Sequence, residues 1–455
     1  MKFIRLPFAA SLVAFGIGSA ALSQKPAATP APAADPFLKT PGAGAEQAGE
    51  LEWDAPENLT FVFELFALNK EDALSIIEKE RNSAARYERV VALFEGGKAR
   101  LETLSCLATL DGDRAVTEYI DEVRYPTEFQ PGNSKSAPAA AATFETRNVG
   151  DTFEIEGQLA PDQRVCDLQI VPQKGALLGF RDTAPPGSQH PILQPRFLTQ
   201  KLTTSTMAFT GKPHYLGSMS AATEHAVATG GIASEVSMAF IRVYVVPIDA
   251  AFRKATPAPA SVGTVGLEYS FYSLDRARAR EVLAALPDME GPWVRLQSFL
   301  KQNEARFEHV VTLRTRSGVR AVTESIREER YPTEFFSPDR IGEGTPGVPS
   351  AHETRNAGVT VELEPTMSPN WALCYLRHVA QSVTYRGLLK VEGSAWPHPD
   401  QPLFETRKIT SSMNLIVGKT ALAGTFNPPG ANGVNGRQDD GRTWLAFVRC
   451  VLESE

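Results

Sequence analysis

The chain has 455 residues, 42% hydrophobic and 22% charged, with a formal net charge of −7 and a pI near 5.7. An acidic balance gives no electrostatic footprint for nucleic acid. Four cysteines in so long a chain are too few for a disulfide scaffold, and their spacing matches no zinc pattern.

The first 23 residues read as a signal peptide. Lys2 and Arg5 flank a short apolar run, Leu6 to Leu22, which closes on Ala21-Leu22-Ser23. The run is too short and too rich in small residues for a membrane span. Residues 24–57 are loaded with Ala, Pro and Gly and are expected to form a flexible linker. The expected localisation is exported, periplasmic or associated with the outer membrane.

From residue 58 the chain is written twice. Residues 114–129, RAVTEYIDEVRYPTEF, recur at 320–335 as RAVTESIREERYPTEF, with 13 identities in 16 positions. Leu68-Asn69 pairs with Leu274-Asp275, and Ala99-Arg100 with Ala305-Arg306. Further on, Arg147-Asn148 pairs with Arg355-Asn356, and Ala239-Phe240-Ile241-Arg242 with Ala446-Phe447-Val448-Arg449. This predicts a tandem duplication of two segments, 58–247 and 264–455, each long enough for its own core, joined by a linker at 248–263.

Each segment is predicted to open on a strand, around Phe61–Phe66 or Leu267–Tyr272. A helix follows, capped by Asn69 or Asp275, with Leu74 and Ile77, or Val282, Leu283 and Leu286, on its apolar face. A second helix is expected near 85–95 and 292–302, and after it only strands. The fold class is therefore α+β with a mainly antiparallel sheet.

Within the repeated strand the copies differ only at Tyr119/Ser325, Asp121/Arg327 and Val123/Glu329. These alternate positions share one face of a strand, expected to meet solvent or a different neighbour. The unchanged face carries Glu118, Glu122 and Arg124, repeated as Glu324, Glu328 and Arg330. It reads as an ion-pair ladder in which each arginine pairs within its own copy. Pro126 and Pro332 are expected to mark the strand's edge or exit, with loops following at 130–142 and 336–351. The runs 209–212 and 416–419 look like hairpin turns at Gly211 and Gly418. The two longest apolar strands, Val236–Val246 and Thr443–Leu452, each carry a mid-strand arginine and are expected at the centre of the core.

Motifs in a fixed order complete the pattern. They are Thr-x-x-Gly-x-Arg-Ala at Gly112 and Gly318, Tyr-Pro-Thr-Glu after Arg124 and Arg330, Arg-Asn-x-Gly at Arg147–Gly150 and Arg355–Gly358, and a Gly-Lys turn at Gly211 and Gly418. In this order they resemble the C-terminal core domain of bacterial secretins, the outer-membrane family of type II and type III secretion and of type IV pili. The resemblance covers most of both copies and is closer in the second. It implies a link to a secretion or pilus-like apparatus. The chain departs from the secretin pattern after the last turn, where Asn427-Pro-Pro-Gly replaces a Gly-Gly turn, and the linker leads directly into the first copy.

Catalytic readings find little. Gly342-x-Gly344-x-x-Gly347 matches a dinucleotide fingerprint in form, but Pro346 interrupts it and no strand–loop–helix context surrounds it. The seven histidines form no metal-spaced pair, and no Gly-x-Ser-x-Gly elbow occurs. The sequence thus reads as a non-enzymatic envelope protein with no catalytic, cofactor or metal residues and no small-molecule substrate. Its partners are expected to be proteins or further copies of itself. The alternatives are a secretin-family channel component and an exported hydrolase.

Overall fold

The computed structural model describes residues 57–130, 140–187, 191–220, 235–248, 263–335, 348–389, 401–428 and 441–453. The signal peptide, nearly all of the 24–57 linker, most of the 248–263 linker and the Gly342–Gly347 run lie outside the described residues.

The N-terminal half supplies β1 (Asn58–Asn69), α1 (Lys70–Lys79), α2 (Ser83–Glu95), β2 (Ala99–Leu110), β3 (Arg114–Gln130), β4 (Ala140–Leu159), β5 (Val165–Asp182), β6 (Leu193–Lys201), β7 (Thr204–Phe209), β8 (Pro213–Ser220) and β9 (Glu235–Val246). The C-terminal half supplies β10 (Thr264–Asp275), α3 (Arg276–Leu283), α4 (Gly291–Lys301), β11 (Ala305–Thr315), β12 (Ala321–Phe335), β13 (Pro349–Met367), β14 (Leu373–Leu389), β15 (Gln401–Ile416), β16 (Thr420–Phe426) and β17 (Arg442–Glu453). Every pairing among them is antiparallel.

Two sheets face each other. The inner sheet runs β11-β10-β17-β16-β2-β1-β9-β8, and the outer sheet runs β12-β13-β14-β15-β3-β4-β5-β6, with β7 also on β5. Each half thus enters the inner sheet in one order, β2-β1-β9-β8 or β11-β10-β17-β16. The halves join head to tail, β16 against β2 and β15 against β3.

The cores are shared. One cluster between the sheets takes Phe61, Phe63 and Phe153 from the first half and Tyr269, Leu376 and Phe447's neighbour Val448 from the second. A second cluster lies under the helices, joining Phe66, Tyr87 and Phe240 to Tyr272, Leu296 and Phe447. The middle of the inner sheet is therefore covered on both faces, which is why all of β1 except its last residue is buried instead of alternating. The strands β9 and β17 lie inside this sheet, between β1 and β8 and between β10 and β16.

Asn69 Oδ1 accepts from the Asp72 amide at 2.8 Å and Asp275 Oδ1 from the Arg278 amide at 2.9 Å, the caps expected from sequence. The apolar face of α1 is turned from expectation: Ala73 and Ile76 are buried, while Leu74 is exposed.

Two turn readings need correction. The turns at Gly211 and Gly418 are not hairpins, because β7 and β15 lie in the outer sheet and β8 and β16 in the inner one. They carry the chain from sheet to sheet, and their amides bond to Val243 O and Cys450 O, each at 2.7 Å. Gly112 and Gly318 make the reverse crossing at φ 75° and 76°, a conformation that costs glycine little. Nor do Pro126 and Pro332 end their strands. Each sits at a register shift within a long ribbon, β3 on β4 and β12 on β13, so the missing amide falls at an irregularity. The strand β4 begins at Ala140 and β13 at Pro349, earlier than the predicted loops allowed.

Candidate protein-interaction surface

The two halves meet along strand edges in both sheets. In the outer sheet, β15 pairs with β3 from Phe404↔Glu122 to Thr410↔Val116. Arg355 donates to both Glu122 oxygens, at 2.5 and 3.0 Å, and to Thr406 Oγ1 at 3.1 Å. Arg124 donates to Glu353 at 3.1 Å and to Tyr331 Oη at 3.2 Å, with its guanidinium 4.7 Å from the Tyr331 ring centre. Both ion pairs cross the halves. The expectation that Arg124 pairs within its own half is therefore wrong: the ribbon β12–β13 leans onto β3–β4, with Phe335 against Phe144 at 5.8 Å.

A more buried cluster lies beside them. Glu405 is fully buried and is held by Arg407, by Arg386 at 2.5 Å and by the Tyr119 hydroxyl at 2.8 Å. Arg407 also stacks on Trp444 at 4.2 Å. A buried carboxylate is tolerable only with such partners. This explains the variable face of the repeat: Tyr119, Asp121 and Val123 are buried against β15, whereas Ser325 and Arg327 are exposed on β12.

The inner sheet is joined by closer backbone approach. A Cβ at Gly424 would stand 2.8 Å from Cys106 O, so only glycine lets β16 reach β2 there. Beside it Thr425 Oγ1 accepts from the Cys106 amide at 2.8 Å, and Asn414 and Asn58 exchange two bonds of 2.8 Å. In the helical layer Arg280 of α3 reaches Glu64 of β1 at 2.7 Å, joined by Arg242 at 3.1 Å and Tyr87 Oη at 2.7 Å. Burial and the Glu64 charge raise the Tyr87 hydroxyl well above its ordinary pKa. Burial opposes the Arg280 charge, but Glu64 outweighs it and the pKa is raised.

At the outer ends, among the described residues, the same kinds of strand have one partner along most of their length, β12 reaching β4 only at Glu334↔Thr143. The outer sheet ends at β12 and β6, and the inner sheet at β11 and β8. Comparison of equivalent positions isolates what is uncovered. Leu101 and Leu104 of β2 are 4% and 0% exposed, but their counterparts Phe307 and Val310 of β11 are 56% and 40% exposed. Ile416 is 4% exposed, and its counterpart Phe209 is 61%. Val322 and Ile326 on β12 are exposed as well. Edges with apolar side chains are docking templates for another strand.

The motif residues named from sequence gather mostly at this surface and its crossings. Arg147 lies on β4 and donates to Thr199 Oγ1 at 3.0 Å, as Arg355 does to Thr406. Arg330 is exposed on β12 and forms no ion pair among the described residues. Gly150 and Gly358 occupy matching strand positions at φ 140° and 138°. The sequence reading missed Glu405, Arg407, Glu64 and Arg280, because their counterparts are Leu198, Gln200, Ser270 and Leu74 and no repeat points to them.

An open groove of about 360 Å³ brings Asp113, His378, Ser411 and Ser412 together, residue types a hydrolase would use. Their bonds point elsewhere. Ser411 Oγ donates to Ala108 O at 2.5 Å, and Ser412 Oγ to Asp113. His378 packs inward on Tyr269, with 5.6 Å between ring centres, and burial lowers its pKa to about 4. Among the described residues His378 Nε2 has no hydrogen-bond partner, serine or otherwise. Among the described residues no cluster of histidine, cysteine or carboxylates could hold a metal. All four cysteines are buried free thiols, with Cys166 pushed up to about 12 by burial.

No family model matches the chain, and no curated protein matches it. Solved structures that share some similarity include the secretin InvG of the Salmonella SPI-1 type III secretion injectisome, 11% identical with a TM-score of 0.23, covering 43% of this chain and 68% of that one. The InvG secretin-domain β-barrel is 10% identical with a TM-score of 0.24, covering 62% and 88%. The Klebsiella pneumoniae type II secretion outer-membrane complex of PulD, PulS and PulC is 14% identical with a TM-score of 0.21, covering 44% and 42%. Likeness at this level transfers no activity.

Proposed function

We propose that this is an exported envelope protein whose two duplicated segments form a strand-edge interaction module, working in a secretion or pilus-like apparatus and carrying no catalytic site. The observation that carries this is the set of edge strands left largely unpaired on one side among the described residues, β11, β12, β6 and β8, with apolar side chains exposed on β11, on β12 and on β7 beside β6. Adding a strand to such an edge gives affinity through main-chain bonds and specificity through alternate side chains. The leader-like N-terminus and the ordered secretin-like motifs support the envelope and apparatus assignment.

The channel reading draws less support. A barrel wall needs a continuous lipid-facing apolar row. The longest apolar strands, β9 and β17, carry Arg242 and Arg449 and lie inside a sheet covered on both faces.

Fractionation of cells making the native protein tests the proposal. The expected result is an envelope protein cleaved near Ser23 and held in a complex larger than its own mass, from which Ile326→Lys on the β12 edge releases it. A protein retained in the cytosol with its N-terminus intact would overturn it.

A further inference from the structure

We infer that Cys374 and Cys450 are a cross-sheet disulfide site, two thiols placed to be joined by oxidation so that the outer sheet is tied to the inner one within the C-terminal half. Cys374 lies at the start of β14, opposite Leu415 of the outer sheet, and Cys450 lies on β17, opposite Leu267 of the inner sheet. Both are completely buried in the cluster between the sheets, and their thiols hydrogen-bond to each other. Facing sheets stand about 10 Å apart, whereas a disulfide needs its Cα atoms within about 7 Å, so a bridge requires a place where the sheets converge. The crossing at Gly418 is such a place. The Val417 amide donates to Ala372 O at 2.9 Å and the Gly418 amide to Cys450 O at 2.7 Å, so successive residues of one turn hold the approach to one cysteine and the backbone of the other.

The N-terminal half shows the same packing without the pair. Cys166 is the counterpart of Cys374, but Val243 stands where the C-terminal half has Cys450. A Cβ added to Gly157 would meet the Phe61 ring at 2.6 Å and Cys166 Sγ at 3.0 Å, so the Cys166 thiol points across to the inner sheet, beside Phe61. Phe61 pairs with Val243, and its counterpart Leu267 pairs with Cys450. The shared arrangement therefore aims Cys374 at the β10–β17 strand pair, where a leucine replaces the phenylalanine ring and a thiol replaces the valine. One half carries an isolated cysteine and the other a facing pair.

The bond forms by thiol–disulfide exchange with a small-molecule disulfide. A thiolate of the pair attacks that disulfide and expels one thiolate, and the second cysteine then attacks the mixed disulfide and expels the other. Two protein thiols are oxidised, one small disulfide is reduced to two thiols, and the two protons released by the protein pass to them. The bond from Cys450, together with burial, holds the Cys374 thiol well above its ordinary pKa. Thiolate is therefore scarce in the closed fold, and the exchange belongs to the folding chain. The exported location proposed above would supply such oxidants, although the geometry does not depend on it.

Thiol counting on the full-length protein tests this. Wild type is unfolded in urea, refolded in a buffer of reduced and oxidised glutathione, denatured again without reductant and labelled with N-ethylmaleimide. Two labels are expected where the four cysteines could take four, with the loss of the two thiol hydrogens and a proteolytic fragment that joins Cys374 to Cys450. The oxidised protein should also unfold at higher urea than the reduced one, because the bridge closes a long loop in the unfolded chain. Cys450→Val, which copies Val243, should take three labels and unfold alike with and without reductant. Four labels on wild type, glutathione adducts in place of the bridge, or a bridge that takes Cys106 or Cys166 would overturn the inference. A bridge that forms in this buffer but is missing from protein recovered from cells with its N-terminus intact would uphold the inference and overturn the exported reading.

Discussion

Arg124 and Glu353 form an ion pair of 3.1 Å between strands of different halves, with the Tyr331 ring packed beneath the guanidinium. Together with Arg355–Glu122 it fixes how one repeat leans on the next. The two pairs differ in burial, and so in what their loss should cost.

Glu353 is largely exposed, but Arg124 is buried and would keep only the Thr146 and Tyr331 hydroxyls as partners, so Glu353→Ala is expected to cost about 1 kcal/mol. Glu122 is mostly buried, and Glu122→Ala strands the Arg355 guanidinium and the Thr406 hydroxyl. Its cost should be about 2 kcal/mol. Urea unfolding of the two variants checks the order; equal effects would contradict the geometry.

Glu64 neutralises two arginines in a buried site, one from each half. Glu64→Gln is expected to destabilise by about 3 kcal/mol, since Arg242 and Arg280 lose their shared counter-charge. Limited proteolysis should then show earlier cleavage in the α3 region than in wild type. A variant as stable as wild type would remove this cluster from the account of the junction.

His378 sets a pH dependence. Its folded pKa is lowered to about 4 by burial, from an ordinary value of 6.5. Between these values the unfolded chain binds the proton and the folded one does not, so stability is full above pH 6.5 and falls as pH drops toward 4. The loss from this group is on the order of 3 kcal/mol. The stability difference between wild type and His378→Gln should therefore shrink on acidification, as read by denaturant midpoints at pH 7 and pH 4.5. Parallel profiles would contradict it.

How much of this was legible beforehand follows from where the signals lie. Caps at Asn69 and Asp275, the strand–helix–helix opening and the central position of the Arg242 and Arg449 strands are local features, and the sequence carries them. Which sheet a strand joins is not local: Gly211 reads as a hairpin turn, yet it links two sheets, because turn residues encode a bend and not its destination. The Arg124 partner was hidden for the same reason. A period of two says that Glu118, Glu122 and Arg124 share a face, but not that the facing strand belongs to the other repeat. The one available clue was that Glu145 and Arg147 recur as Glu353 and Arg355, with charges complementary to the unchanged face. Glu405 and Glu64 had no such clue, because burial alone gives them their importance.

Amide hydrogen exchange along β12 tests the central claim most directly. In β3, residues 116–122 are bonded on both sides, to β4 and to β15, whereas the equivalent residues of β12 have only β13. The account predicts that in the isolated protein the amides of residues 322–328 exchange much faster than those of 116–122, because the edge that a partner strand would use is open there. Equally slow exchange along residues 322–328 and 116–122 in the isolated protein would contradict it.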